Sequence, residues 1–232
     1  MKRIVFKNEA EIMAIITGHK VTFREPIKGV ASECKHAKVI LNSSVGQTYA
    51  VFPTGMPDRQ IIVQCPYQPG DVLYSAQEWR KIVGMTNTYL EGESVDGDDP
   101  HFGYEFKTGG YYFPDGWNPI DDEFHLSDIS PLQEDNKWQR ADSMPEEAAQ
   151  LFLRVSSVGL SRLQSLSNQD LLDEGMTSMA AWCGDREIAI SEFRNIWKAN
   201  EQLFSWDSNP WVFVIRFERI SAEEALTVRE EK

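Results

Sequence analysis

Short segments rich in β-forming residues, each followed by a turn, constrain the fold of this chain most. Residues 48–52, 60–65 and 72–76 predict strands, and the segments 53–58 and 66–71 between them contain the Pro, Gly and Asp residues of turns. The same pattern predicts strands at residues 3–7, 19–24, 150–158 and 211–217. The last segment is apolar on both faces, which predicts a central place in its sheet.

Three helices are predicted between these strands. Residues 11–17 have helical periodicity up to Gly18, residues 167–174 begin with N-cap chemistry and end before Gly175, and a longer helix follows Asp185. The sequence therefore predicts an α+β protein with a single domain over residues 1–220 and a polar C-terminal tail over residues 221–232.

Charge is distributed very unevenly along the 232 residues, whose formal net charge is −13. Residues 91–135 contain 13 Asp or Glu and one basic residue, Lys107, whereas residues 1–38 contain eight Lys or Arg and four Glu. Because cationic side chains drive phosphate binding, the basic N-terminal region keeps nucleic acid among the candidate partners despite the acidic total.

Residues 91–136 combine Gly, Asp and Pro with many aromatic residues, and this composition predicts an acidic insertion or long loop. Residues 102–106 and 111–113 predict a hairpin inside it, and the aromatics predict that part of it packs against the rest of the domain. Three roles stay open for residues 91–135: capture of a protein partner by imitating a phosphate backbone, shielding of the basic cleft, and solubility alone.

The three cysteines, Cys34, Cys65 and Cys183, form no CxxC pair, and they predict reduced thiols rather than a disulfide scaffold. His19, Cys34, His36 and Cys65 offer zinc-type donors, but their spacing fits no standard site, so we expect no metal and no cofactor.

No apolar run is long enough for a membrane span, and the N-terminus is too charged for a signal peptide. We expect a cytoplasmic protein without a membrane partner.

Several motifs in a fixed order resemble one family. They are Ile16-Thr17-Gly18-His19-Lys20 with Thr22 and Arg24; Cys65-Pro66-Tyr67 with Pro69-Gly70-Asp71-Val72-Leu73 and Glu78-Trp79; Met144-Pro145 with Ala148; Arg162-Leu163-Gln164 with Asp170 and Glu174-Gly175; and Phe193, Trp197 and Trp206 with residues 209–215. Together they resemble the ASCH domains of the PUA-like superfamily, in particular the ASCH-like proteins of phages and prophages. For a phage protein, the compartment is the host cytoplasm.

The resemblance implies a PUA-like β-barrel of about five to seven strands in a mixed sheet, with flanking helices and a cleft. Members of the superfamily bind RNA or modified bases, and one bacterial branch hydrolyses the acetyl amide of N4-acetylcytidine. Lys20 matches the lysine of that branch's Gly-Arg-Lys-Thr-x-Thr motif, and Glu174 matches its glutamate. Phe23 stands where the motif has its last threonine, and the nearest hydroxyl belongs to Thr22.

Amide hydrolysis requires a nucleophile, a base and a donor for the developing oxyanion. Lys20, Thr22 and Glu174 are therefore the candidate catalytic residues, and the candidate ligand-binding set is Lys20, Thr22, Arg24, Glu78, Trp79 and Glu174. The alternatives are that Lys20 and Arg24 are solvated strand residues and that Glu174 is an ordinary helix-end carboxylate. Trp79, Trp138 and Trp211 are candidates for stacking on a base or for core packing. The leading hypothesis is binding of RNA or a modified nucleoside.

Overall fold

The computed structural model describes residues 1–6, 9–30, 34–42, 46–54, 59–90, 93–95, 100–107, 109–117, 125–132, 137–176, 186–198 and 203–230. The strands are β1 Lys2–Val5, β2 Thr22–Pro26, β3 Lys38–Asn42, β4 Gln47–Pro53, β5 Gln60–Gln64, β6 Val72–Ala76, β7 Trp79–Leu90, β8 Glu93–Val95, β9 His101–Phe106, β10 Tyr111–Tyr112, β11 His125–Pro131, β12 Phe152–Arg162 and β13 Trp211–Ile220. The helices are α1 Glu9–Ile16, α2 Asn168–Asp173, α3 Arg186–Trp197 and α4 Ala222–Glu230. The chain is therefore an α+β protein in which strands predominate.

The chain divides into two compact units. The first comprises Met1, residues 3–6 and residues 74–150, and the second comprises Lys2, residues 7–73 and residues 151–232. The sequence analysis predicts one domain over residues 1–220 with an insertion at 91–136. In the structure, residues 91–136 belong to the first unit, together with β7 and residues 137–150.

The first unit is built around the long strand β7, which pairs antiparallel with β8, β9 and β11. Strand β10 pairs with β9 and so forms the predicted hairpin. Two glycines in this sheet make room for aromatic rings, because a Cβ on Gly84 would lie 2.1 Å from the ring of Trp117 and one on Gly103 would lie 2.6 Å from the ring of Phe113. Strands β8 to β11 of this sheet thus lie within or at the edge of the stretch that the sequence predicts as a long loop.

The second unit contains the site described below. Strand β13 pairs antiparallel with β12 on one side and β2 on the other, so its predicted central position is confirmed. Strands β3, β4 and β5 form a separate antiparallel sheet. Helices α2 and α3 cover a buried cluster that includes Leu163, Leu171 and Phe193.

Helix α4 lies where the sequence predicts a polar tail. Its Ala, Glu and Leu residues favour helix, Ser221 Oγ accepts a hydrogen bond from the Glu224 amide at 3.1 Å, and Ala225 is buried.

The strands of the described residues form open sheets, and no closed barrel is found among them. The PUA-like barrel therefore stays a prediction. The Asp185 cap lies outside the described residues, although helix α3 follows it directly.

Candidate functional site

The turn after α1 fixes the position of Lys20. The backbone N–H groups of His19 and Lys20 both donate to Ala14 O, at 2.8 and 2.9 Å. Gly18 has a φ of +75°, in the left-handed region that glycine occupies without a Cβ clash. The chain therefore leaves the helix sharply, and Lys20 lies two residues after Gly18, just before β2.

Strand alternation then places three polar residues on one face. Lys20, Thr22 and Arg24 are two residues apart, so their side chains point the same way. All three are buried, at 2%, 2% and 7% exposure. Phe23 points to the opposite face, where its ring meets that of Tyr67 edge-on at 5.3 Å between centroids. The polar face of β2 is thus part of the interior, and the alternative that Lys20 and Arg24 are solvated is wrong.

Glu174 reaches this face from the end of α2. The helix begins with a capping box in which Ser167 and Asp170 exchange hydrogen bonds, and it ends at Glu174 before Gly175, whose φ is +88°. A Cβ on Gly175 would lie 3.0 Å from Lys20 Cβ, so only glycine allows the two segments to approach this closely. Lys20 and Glu174 also form an isolated antiparallel β-bridge.

The side chain of Lys20 is held by two carboxylates. Its Nζ donates to Glu174 Oε2 at 2.8 Å and to the Glu174 carbonyl oxygen at 3.2 Å, and it lies 3.6 Å from Glu11 Oε1. The Glu174 side chain is 2% exposed. The ammonium therefore makes two hydrogen bonds to Glu174 and a longer ion pair with Glu11. Lys20 and Glu174 thus form a buried ion pair, and the two side chains do not act independently.

Arg24 completes the cluster. Its Nε lies 3.2 Å from Glu174 Oε1, and its Nη2 donates to Asp170 Oδ1 at 3.2 Å. Burial alone would raise the pKa of Asp170, but hydrogen bonds from Ser167 and the charge and hydrogen bond of Arg24 together lower it. Asp170 therefore stays ionised, and it links the cap of α2 to the guanidinium of Arg24.

Four of the six predicted ligand-binding residues, Lys20, Thr22, Arg24 and Glu174, lie together in this cluster. The other two, Glu78 and Trp79, belong to the first unit. There Glu78 Oε2 accepts from Lys107 Nζ at 2.7 Å, and the Trp79 indole donates to Ser143 Oγ at 3.3 Å and packs edge-on against Tyr104. Their predicted role in ligand binding stays a prediction.

Sequence reasoning misses Glu11 and Asp170 as parts of the site. Nothing in the sequence marks Glu11, because its approach to Lys20 depends on how α1 packs. Asp170 does carry a signal, since its spacing from Ser167 is that of a capping box, but the spacing does not reveal the contact with Arg24.

The other candidates have structural contacts. Cys34 Sγ donates to Pro53 O at 3.5 Å, and His19 Nδ1 lies 2.8 Å from Thr17 Oγ1. No group of three or more His, Cys, Asp or Glu side chains within the described part of the chain is arranged to hold a metal ion. Trp211 lies under the Arg162 guanidinium at 4.5 Å, and Trp138 lies under that of Arg80 at 4.6 Å.

Comparison with models of known protein families, with curated proteins and with solved structures finds no match for this chain. Among the described helices, none is long and apolar enough to cross a membrane. Much of the acidic stretch 91–135 lies outside the described residues, so its possible role in binding a protein partner stays a prediction.

Proposed function

We propose that this chain binds RNA or a modified nucleoside at the cluster of Lys20, Thr22, Arg24 and Glu174, in a variant of the PUA-like ASCH fold. The single observation that carries the proposal is that Arg24, Glu174 and Thr22, buried beside Lys20, each have side-chain polar atoms without a hydrogen-bond partner among the described residues. Native proteins seldom leave buried polar atoms without partners, and sites that await a ligand are a recognised exception.

Stability alone is a weak explanation for this cluster. Desolvating a buried ion pair costs about as much as the pair returns, and well-packed apolar side chains in its place are often neutral or stabilising. Here the cations of Lys20 and Arg24 form ion pairs with the carboxylates of Glu174 and Asp170. Asp170 lies in the first turn of the short helix α2, and Glu174 is its C-cap. Such a concentration of ionisable groups is typical of a binding or catalytic site.

The charge near the N-terminus supports RNA as the larger ligand. Residues 1–38 have a formal excess of four positive charges, and they include the strand that carries the site. Lys and Arg residues at such positions contact the phosphate backbone, while the buried cluster contacts a base or nucleoside.

The experiment is a titration of the whole chain with nucleosides and short RNAs at low and moderate salt. We expect saturable binding that a Lys20→Ala/Glu174→Gln double variant loses. The matched control is Lys198→Ala/Glu223→Gln, which changes the same residue types at exposed positions outside residues 1–38 and is expected to bind as the wild type does. Failure of every nucleoside and RNA to bind, or unchanged binding by the Lys20/Glu174 variant, overturns the proposal.

A second candidate function, amide hydrolysis of an N4-acylated cytidine, is favoured by Thr22. Its hydroxyl lies on the same strand face as Lys20 and has no hydrogen-bond partner among the described residues, so it is free to serve as nucleophile. In this reaction water is added across the amide, which releases cytidine and acetate. Incubation with N4-acetylcytidine tests it: Thr22→Val is expected to abolish cytidine release and Thr22→Ser to retain it, and no release by the wild type excludes it.

A further inference from the structure

Four buried polar atoms without an aligned hydrogen bond lie in this one cluster. Within the described residues, the buried side-chain atoms lacking a partner are Thr22 Oγ1, Arg24 Nε, Arg24 Nη1, Glu174 Oε1 and, away from the site, Arg154 Nε. Arg24 Nε and Glu174 Oε1 lie 3.2 Å apart as an ion pair, so the guanidinium that carries Nη1 contacts the carboxylate that carries Oε1. An unsatisfied buried polar group destabilises the folded protein, and a ligand that bonds to it removes that cost.

The chemistry of these atoms dictates what they accept. A guanidinium nitrogen only donates, so Arg24 Nη1 requires an acceptor on the ligand. A carboxylate oxygen only accepts, so Glu174 Oε1 requires an N–H or O–H donor. The Thr22 hydroxyl does either and can satisfy a neighbouring atom of each kind. The three residues together therefore complement a ligand edge on which a donor and an acceptor are adjacent.

The charge balance argues against an anionic ligand. Lys20 and Arg24 are surrounded by the carboxylates of Glu11, Glu174 and Asp170, which gives two formal positive charges and three negative ones. The Lys20 ammonium is already engaged by Glu174 and Glu11. A phosphate or carboxylate entering this cluster would meet an excess of negative charge without a free ammonium to offset it.

We propose that the ligand presents to this cluster a neutral edge in which an N–H donor, directed at Glu174 Oε1, stands next to a carbonyl or ring-nitrogen acceptor, directed at Arg24 Nη1. This inference rests on the proposed function and specifies which part of a nucleoside is read. The lactam edges of uracil and guanine have this arrangement. A methyl group on the ring N–H removes the donor and leaves Glu174 Oε1 without a partner.

The experiment uses the unaltered protein and two matched pairs of nucleosides: uridine with 3-methyluridine, and guanosine with 1-methylguanosine. Calorimetry measures each affinity, and short RNAs with and without the same methyl group extend the test. We expect methylation to weaken the preferred ligand about tenfold or more, since a buried acceptor loses its donor.

A loss of less than about threefold on methylation, with nucleoside or RNA binding otherwise intact, overturns this inference and leaves the proposed function standing. Absence of binding by every nucleoside and RNA overturns both. Arg24→Lys supplies an independent check, because it keeps the charge but removes the planar guanidinium donors, and it is expected to weaken the unmethylated ligand more than the methylated one. Arg154→Lys, on β12, is the matched control and is expected to change neither affinity.

Discussion

Replacing Lys20 by Met removes one half of a buried ion pair while preserving most of the side-chain volume. The change eliminates the 2.8 Å hydrogen bond to Glu174 Oε2, the 3.2 Å hydrogen bond to the Glu174 carbonyl and the ion pair with Glu11. Glu174, 2% exposed, then keeps Arg24 as its remaining ion-pair partner. Removing one partner of a buried pair costs about 3–5 kcal/mol, so Lys20→Met is expected to destabilise the second unit by about that amount.

The double variant Lys20→Met/Glu174→Gln measures the interaction between the two side chains, apart from the effect of replacing each one alone. Because Glu174→Gln removes the carboxylate charge that Lys20→Met leaves without its lysine partner, the double variant is expected to cost about 2 kcal/mol less than the sum of the single variants. The exposed Lys28→Met is the control, and we expect it to change stability by less than about 0.5 kcal/mol.

Urea unfolding followed by NMR measures these differences. The amide signals of Val21 and Phe217 report on the second unit. The Val21 N–H donates to Asp173 O, and the Phe217 N–H donates to Val21 O. A cost below about 1 kcal/mol for Lys20→Met, or single-variant costs that simply add, would show that the two side chains do not form a buried pair.

Three further predictions concern the surroundings of the site. Gly175→Ala is expected to lower the melting temperature and to weaken nucleoside binding, because its φ of +88° and the 3.0 Å approach to Lys20 Cβ leave no room for a methyl group. Burial raises the pKa of the Cys65 thiol from 9.0 to about 11, so the folded chain retains a proton that the unfolded chain loses, and stability should fall between pH 9 and 11. Urea midpoints at pH 8 and pH 10.5 should therefore differ less in Cys65→Ala than in the wild type. The pKa of Asp170 is lowered despite its burial, by Ser167 and Arg24, so its contribution is present above the ordinary aspartate pKa and lost as pH falls through the folded value. Acid unfolding of Asp170→Asn should consequently be less steep.

The sequence predicts those elements whose signals are local. The alternation of Val72–Ala76 between two turns identifies β6, and the capping chemistry of Ser167 with Gly175 beyond it delimits α2. The strand period also predicts that Thr22 and Phe23 face opposite ways, as they do. In each instance a few neighbouring residues determine the conformation, so no knowledge of the tertiary structure is needed.

The sequence does not reveal features that depend on distant packing. The long strand β7 is missed because Gly84 interrupts its strand pattern, and this glycine is explained by the ring of Trp117 that covers it. The role of Glu11 is missed for a similar reason, since only the packing of α1 brings it to 3.6 Å from Lys20. Burial of the polar face of β2 is likewise a tertiary effect, because its charged residues suggest a solvated face.

Photo-crosslinking tests most directly whether the Lys20–Glu174 cluster is where a nucleobase binds. A short RNA containing 4-thiouridine is irradiated in complex with the whole chain, and the attached peptides are identified by mass spectrometry. Crosslinks in the segments that contain Lys20 to Arg24 or Asp170 to Gly175, suppressed by excess unmodified nucleoside, are the predicted result. Crosslinks confined to residues 74–150, with those two segments unmodified, would contradict the account.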